Sequence, residues 1–285
     1  MKSTGTICII GLGLIGGSMA LDLKEKDWAR KIIGVDANSD HLTTALQKGI
    51  IDEALSLDEA VEISEIIVLC TPVDVIRKLL PGVLDMMQGS DKVVTDTGST
   101  KAEIISCVRN HPNRKAYVAA HPMAGIEKSG PEAAISGLFD NHYLIICGKE
   151  DSNAEAVARI SHLFQMLNMR ITYMVPAAHD ASAAYVSHLS HIASFALSLC
   201  VQENEKDQGN ICRLAGGGFT SAVRLAKSSA EMWTPIFQQN NQNILAVLQS
   251  YINKLELFKD HLVKMDNNKM IAFIRESNKI ETVIK

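Results

Sequence analysis

A doubly wound α/β domain followed by an all-helical domain is what this 285-residue sequence predicts. Three observations carry that expectation. Short apolar runs alternate with amphipathic stretches of helical length through the first 175 residues. A glycine-rich turn closes the first run, and beyond Pro176 only helical periodicity remains.

The runs TICIIG, KIIGVD, EIIVLC, KVVTD, AYVAAH, HYLIIC and ITYMV read as strands, being short and rich in β-branched residues. They are apolar at consecutive positions, as in a mostly parallel sheet covered on both faces. The connecting stretches read as helices. In NAEAVARISHLFQML, for example, Ala156, Ile160, Leu163 and Leu167 recur at helical spacing. Later helices are expected in HDASAAYVSHLSHIASFALSLCV, FTSAVRLAK and the long run from WTPIF to KDHL, separated by loop signals at EKDQGN, AGGG and MDNN. The boundary falls near residues 175–178, giving domains 1–175 and 176–285.

Composition limits the function classes. At 47% hydrophobic residues the chain has material for a sizeable core. A net charge of −4 argues against a nucleic-acid partner, which calls for a basic stripe. The most apolar late run, HIASFALSLCV, is interrupted by serines and falls short of the about 20 residues of a membrane span, so no membrane partner is expected. The start lacks a signal peptide's basic segment and cleavage site. The six cysteines form no C-x-x-C pair and read as reduced thiols of a cytoplasmic protein.

The turn GLGLIG places Gly11, Gly13 and Gly16 in a G-x-G-x-x-G motif, after a strand and opening a helix. Gly11 suits the tight turn, Gly13 close backbone approach to a pyrophosphate, and Gly16 close helix–strand packing, the fingerprint of a Rossmann-type domain. The helix N-terminus would add N–H groups to the phosphates. The second strand ends in Asp36, about 20 residues beyond the last motif glycine, as the ribose-binding acid of an NAD site does. No arginine follows it in ANSDH to accept the 2′-phosphate of NADP. NAD is therefore the expected cofactor. Its candidate residues are Gly11, Gly13, Leu14, Ile15, Gly16 and Asp36, with Thr71 and Pro72 at the end of EIIVLC. On the bland alternative the glycines only turn a corner and Asp36 only ends a strand.

Two further segments follow strands: DTGSTK at residues 96–101 and AAHPMAGIEKSG at residues 119–130. Ligands in open α/β sheets sit beyond the carboxyl ends of strands, so Ser99, Lys101 and His121 are expected near the nicotinamide. Oxidising an alcohol needs a group that takes the hydroxyl proton as hydride leaves. A histidine, mostly neutral at pH 7, suits that task. Pro122 holds His121 in extended backbone. Spacing alone leaves open whether His121 is catalytic or structural, and whether Lys101 steers an anion or fixes its loop.

DTGSTK, HPMAG with its continuation IEKSG, HD followed by SHLSH, and GGGF…RLAKS…MW occur in one order behind GLGLIGGS. Together they resemble the prephenate/arogenate dehydrogenases of tyrosine biosynthesis, across nearly the whole chain. The resemblance implies oxidative decarboxylation of a cyclohexadienol, with hydride passing from C4 to NAD, the C4 hydroxyl giving up its proton and CO₂ leaving as the ring becomes aromatic. It implies that His121 is the catalytic acceptor and that Ser99 orients this histidine, the substrate hydroxyl and the nicotinamide. It further implies substrate-binding roles for Arg224 (a carboxylate ligand), His191, His188, Gly217 and Trp233, and a homodimer formed through the helical domain.

Prephenate is favoured over arogenate because no acid is evident for an amino group. Metal is not expected, since His188 and His191 lack a third ligand and the reaction needs no Lewis acid. Ser190, where many members carry proline, is expected to remove a helix restriction and shift His191. From its length the chain is expected to carry neither a fused mutase nor a regulatory module, and any feedback by tyrosine is expected to act near the active site. A β-hydroxyacid dehydrogenase is the nearest rival, but the helix AYVSHLSHIASFALSL lacks the lysine its chemistry uses. A non-catalytic NAD(H) sensor would leave Ser99, His121 and Arg224 without a purpose.

Overall fold

Side chains alternate across the strands and so build two cores. Ile7 and Ile9 of the first strand face one layer, while Cys8 and Ile10 face the other. The computed structural model describes residues 5–208 and 210–283. Its strands are β1 (Thr6–Ile10), β2 (Lys31–Val35), β3 (Glu53–Ala54), β4 (Ile66–Leu69), β5 (Val93–Asp96), β6 (Tyr117–Pro122), β7 (Tyr143–Cys147) and β8 (Arg170–Met174). They form one sheet in the order β3-β2-β1-β4-β5-β6-β7-β8. All neighbouring pairs are parallel except β6 with β7. The chain works outward from β1 to β3 and then returns to β4, so a switch point opens between the carboxyl ends of β1 and β4.

Helices α1 (Leu14–Glu25), α2 (Ser39–Gln47), α3 (Leu57–Ile63), α4 (Val73–Met86), α5 (Ala102–Cys107) and α6 (Ala154–Met166) lie among these strands. Met19 and Leu23 of α1 share a core with Ile160 and Phe164 of α6. Val73, Ile76 and Leu80 of α4 share the opposite one with Ile104 of α5. Several helices begin at caps visible in the sequence: Asn38 accepts from Asp40 N, Asn153 from Glu155 N, and Ser56 with Glu59 forms a reciprocal capping box. The seven expected strands are all present. The eighth, β3, has two residues, too few to show a period.

Beyond β8 the chain is helical: α7 (Pro176–Ala183), a π turn at Ala184–His188, α8 (Leu189–Gln208), α9 (Gly217–Ala222), α10 (Ala230–Gln239), α11 (Asn241–Val263) and α12 (Asn267–Asn278). Contacts divide the chain into two compact units, one ending at Asn240 and one beginning at Asn241. The first includes α7 to α10 because Trp233 and Ile236 of α10 are buried in the same core as α4. The second is a helix pair in which the rings of Phe258 and Phe273 lie 5.3 Å apart.

Several expectations need correction. The EKDQGN loop is helical through Gln208, because nothing before Gly209 breaks the helix; Gly209 itself lies outside the described residues. The MDNN signal is partly helix, since Asp266 caps α12 through Lys269 N. FTSAVRLAK is one short helix and a 3-10 turn, and the long final run divides at Asn240. The segment Pro176–Glu205 forms one 30-residue helix that is long and apolar enough to cross a membrane by length and composition, with 22% of its most apolar window buried. Its serines and histidines break the apolar residues into short runs, yet its most apolar window keeps a mean hydropathy of 1.3.

Candidate active site

At the switch point the backbone makes a cradle. Gly11 has φ +94° where the chain turns from β1 into α1, and it donates its N–H to Val35 O at the end of β2 at 2.8 Å. A Cβ on Gly16 would lie 2.1 Å from Gly11 O, so only glycine lets α1 ride against the turn. A Cβ on Gly13 would meet nothing within 4 Å, which leaves that backbone face open to a ligand. Leu14 and Ile15 form the first turn of α1. Thr71 and Pro72 sit at the end of β4 on the far side of the crevice, and Thr71 Oγ1 is buried without a hydrogen-bond partner.

Asp36 reaches back over the cradle. Its carboxylate accepts from Leu12 N at 2.7 Å and from Asn38 N at 2.8 Å. His41 Nδ1 lies 3.4 Å from the same carboxylate, a neighbour the sequence reading did not find. An open glycine face, an unpaired threonine hydroxyl and a carboxylate at the end of β2 fit a dinucleotide with free ribose hydroxyls.

The second cluster gathers beyond β5 and β6. His121 is the penultimate residue of β6, and its Nδ1 lies 2.8 Å from Nε2 of His179. His179 Nδ1 lies 2.8 Å from Asp180 Oδ1, and Asp180 also accepts from Lys101 N at 2.8 Å and Ala102 N at 2.9 Å. Asn240 Nδ2 donates to Asp180 O at 2.7 Å and lies 3.1 Å from His188 Nδ1. Lys101 is fully buried; its ammonium pairs with Asp96 and donates to Ala120 O at 2.6 Å, next to His121. Tyr117 donates to the other oxygen of Asp96 at 2.7 Å. Lys101 thus fixes more than its own loop: it ties β5 to β6 directly beneath the histidine.

Burial, with His179, Lys101 and His188 alongside, pushes His121 well below the ordinary histidine range. Burial lowers His188 to about 4. His191 is lowered by burial and by Arg224, against the carbonyl of Ser187. Burial raises the Asp180 carboxyl, but hydrogen bonds from His179 and from the amides of Ala102 and Lys101 outweigh it and leave the group below its usual value. At neutral pH His121, His188 and His191 are therefore uncharged and Asp180 is ionised. The thiols of Cys8, Cys70 and Cys147 are pushed by burial to about 12 and are inert as nucleophiles.

His191 stacks on Trp233 with ring centroids 3.6 Å apart, and its Nδ1 lies 3.0 Å from Ser187 O. His188 meets the same indole edge-on at 5.9 Å. Ser190 is exposed, and the helix irregularity lies just before it, in the π turn that ends at His188. Arg224 pairs with Glu127 at 2.8 Å, which joins the RLAKS turn to the loop after β6. Gly217 opens α9 in an exposed position. Ser99 is half-buried, and among the described residues no hydrogen bond joins it to His121. The partner of His121 Nδ1 is His179, which the sequence reading met only within the HD motif. Its signal there was a histidine next to an acid, too common a pair to single out.

A nucleotide cradle at the switch point, with a neutral histidine at the carboxyl edge of the sheet, defines a nucleotide-dependent dehydrogenase. Comparison with known proteins narrows the class. The family model for the prephenate dehydrogenase nucleotide-binding domain matches residues 19–173, and that for the prephenate dehydrogenase dimerization domain matches residues 175–276. The prephenate dehydrogenase of Bacillus subtilis is 30% identical over 95% of this chain and 73% of its own. The cyclohexadienyl dehydrogenase of Zymomonas mobilis is 29% identical over 98% of this chain and 96% of its own. The crystal structure of prephenate dehydrogenase from A. aeolicus, in complex with hydroxyphenyl propionate and NAD+, superposes with a TM-score of 0.88 at 27% identity over 99% of both chains. The chain belongs to the prephenate dehydrogenase family.

Proposed function

We propose that this enzyme oxidatively decarboxylates prephenate to 4-hydroxyphenylpyruvate with NAD, His121 accepting the proton of the C4 hydroxyl. The observation that carries this reading is a histidine held uncharged at the carboxyl edge of the sheet, in a chain whose family performs this oxidation. NAD, when bound, takes the hydride. Gly11, Gly13, Leu14, Ile15 and Gly16 hold its pyrophosphate, Asp36 its ribose hydroxyls, and Thr71 and Pro72 line the other wall of the crevice. The NAD in the A. aeolicus relative supports that assignment.

His121 needs only to polarise and deprotonate one hydroxyl, because CO₂ release makes the step irreversible. Ser99, on the loop after β5, orients the hydroxyl and the nicotinamide. Arg224 binds a substrate carboxylate through its guanidinium fork, releasing Glu127 as it does so. His191 and His188, set against Trp233, contact the substrate, and Gly217 lets the backbone approach it.

We place the domain junction at residues 175/176, a reading supported by family models that end at residue 173 and begin at residue 175. The exposed apolar side chains Tyr185, Val186, Leu197 and Leu199 on α7 to α8 are covered by a second copy of the chain, as the dimerization-domain match supports. Six free thiols suit a reducing, cytoplasmic setting.

A second reading has one specific observation behind it. Glu127, 2.8 Å from Arg224, is an acid of the kind that would accept the amino group of arogenate. The test is NADH appearance at 340 nm with prephenate and with arogenate, each with NAD and NADP. Turnover of prephenate with NAD is expected. Turnover of arogenate alone would move the enzyme to the second reading, and no turnover of either would overturn both.

A further inference from the structure

Asp180 is a buried carboxylate with no lysine or arginine partner among the described residues. Asp96, the other buried carboxylate of the cluster, is neutralised by Lys101. Asp180 is held by two backbone amides and by His179, and His179 in turn faces His121. Both His179 and Asp180 are sealed from solvent, at 1% and 2% exposure. The cluster therefore carries one negative charge that no fixed cation balances.

We propose that His179 and Asp180 are positioning residues that set the tautomer of His121 and make a closed proton reservoir behind it. The logic is directional. An ionised carboxylate only accepts hydrogen bonds, so the proton of His179 lies on Nδ1. With that single proton on His179, its Nε2 is an acceptor, and Nδ1 of His121 donates to it. The remaining nitrogen of His121, Nε2, carries the lone pair that acts as base.

The reservoir matches the proton balance of the proposed reaction, on which this inference rests. Hydride leaves C4 with its electron pair for NAD, the oxidant of the proposed reaction, and the hydroxyl proton moves to His121 Nε2. The bond from the ring to its carboxylate then breaks, CO₂ departs, and that electron pair completes the aromatic ring. The oxygen at C4, now a phenolate, takes the proton back from His121. No proton is released overall, so a base without an exit to water suffices. While the proton is held, the positive charge on His121 faces Asp180 through His179. The remaining groups around His121 oppose or ignore that charge. Lys101 and its partner Asp96 approach from the β5–α5 side, and His188 from the π turn.

Long-range ¹H–¹⁵N imidazole NMR on the full wild-type chain at pH 7 tests this directly, with signals assigned by loss in His121→Asn and His179→Gln. Nδ1–H tautomers of both His121 and His179 are expected; His121 protonated on Nε2 would overturn the proposal. In Asp180→Asn the charge is gone and one acceptor oxygen must serve the amides of Lys101 and Ala102 and His179 Nδ1, so the single fixed tautomer of His179, and with it that of His121, is lost. The expected kcat loss with prephenate is on the order of 10²–10⁴-fold, with NAD affinity retained. A kcat within about threefold of wild type, against that expected loss, would also overturn it. Should Asp180→Asn fail to fold, since Asp180 also caps α5, the wild-type tautomers still decide. They need no substrate, so inactivity toward prephenate would count against the proposed function and not against this proposal.

Discussion

The nucleotide cradle and the histidine cluster lie on the same edge of one sheet and are built in opposite ways. The cradle is backbone. Apart from Thr71 and Pro72 across the crevice, its parts fall in one 26-residue stretch from Gly11 to Asp36, and its shape follows from a positive φ and the missing side chain of Gly16. The histidine cluster is side chain. It draws on Asp96, Lys101, His121, His179, His188 and Asn240, from four separate parts of the chain, and its properties come from burial. The cradle needs little besides local sequence, whereas the cluster exists only once α7 and α10 have docked on the sheet.

That contrast sets which substitutions matter and how. The largest effect is expected at His121. His121→Asn removes the acceptor and leaves the cradle intact, so kcat should fall on the order of 10²–10⁴-fold, with NAD affinity by titration unchanged. Loss of NAD binding in that variant would show the two regions to be coupled rather than separate.

Arg224→Ala should act through KM. Removing a charge-assisted carboxylate contact costs about 1.5–3 kcal/mol, or roughly 10–150-fold in kcat/KM, and steady-state kinetics over a prephenate series would read it. Gly16→Ala strikes the backbone region instead. The new Cβ meets Gly11 O, and overpacking of this kind costs about 1–3 kcal/mol. Thermal unfolding should show a lower Tm, with NAD affinity reduced as well. An unchanged Tm would mean that the turn yields more readily than its geometry implies.

The last effect is gradual and concerns pH. His188 is lowered by burial from 6.5 to about 4, so the unfolded chain binds a proton there that the folded chain does not. Stability from this group is fully present above pH 6.5 and is lost as the pH falls toward 4, at about 1.4 kcal/mol per pH unit at most. Denaturant unfolding between pH 7 and pH 4 should show that decline. His188→Gln should flatten it.

The same contrast explains what could be read before the structure. The strands, the sheet class, the cradle and Asp36 follow from short-range pattern: apolar runs, a glycine spacing, an acid at a strand end. His121 and Arg224 came from motifs in order. His179, Asp180, Glu127 and Asn240 acquire meaning only through contacts such as the 97-residue separation between Glu127 and Arg224. Lys101 shows the limit best. Nothing in DTGSTK says that its ammonium is fully buried against Asp96 and the carbonyl before His121. The two-residue β3 and the helical EKDQ segment were missed because neither a strand that short nor a helix end without a breaker leaves a local mark.

The central claim is that burial keeps His121 uncharged so that it can take a proton at neutral pH. The most direct test is the pH dependence of kcat/KM for prephenate, in wild type and in His121→Asn. An acid limb centred below pH 6.5 in wild type, and absent from the residual activity of the variant, is the predicted result. An acid limb centred at or above pH 6.5, or one that survives the substitution, would contradict it.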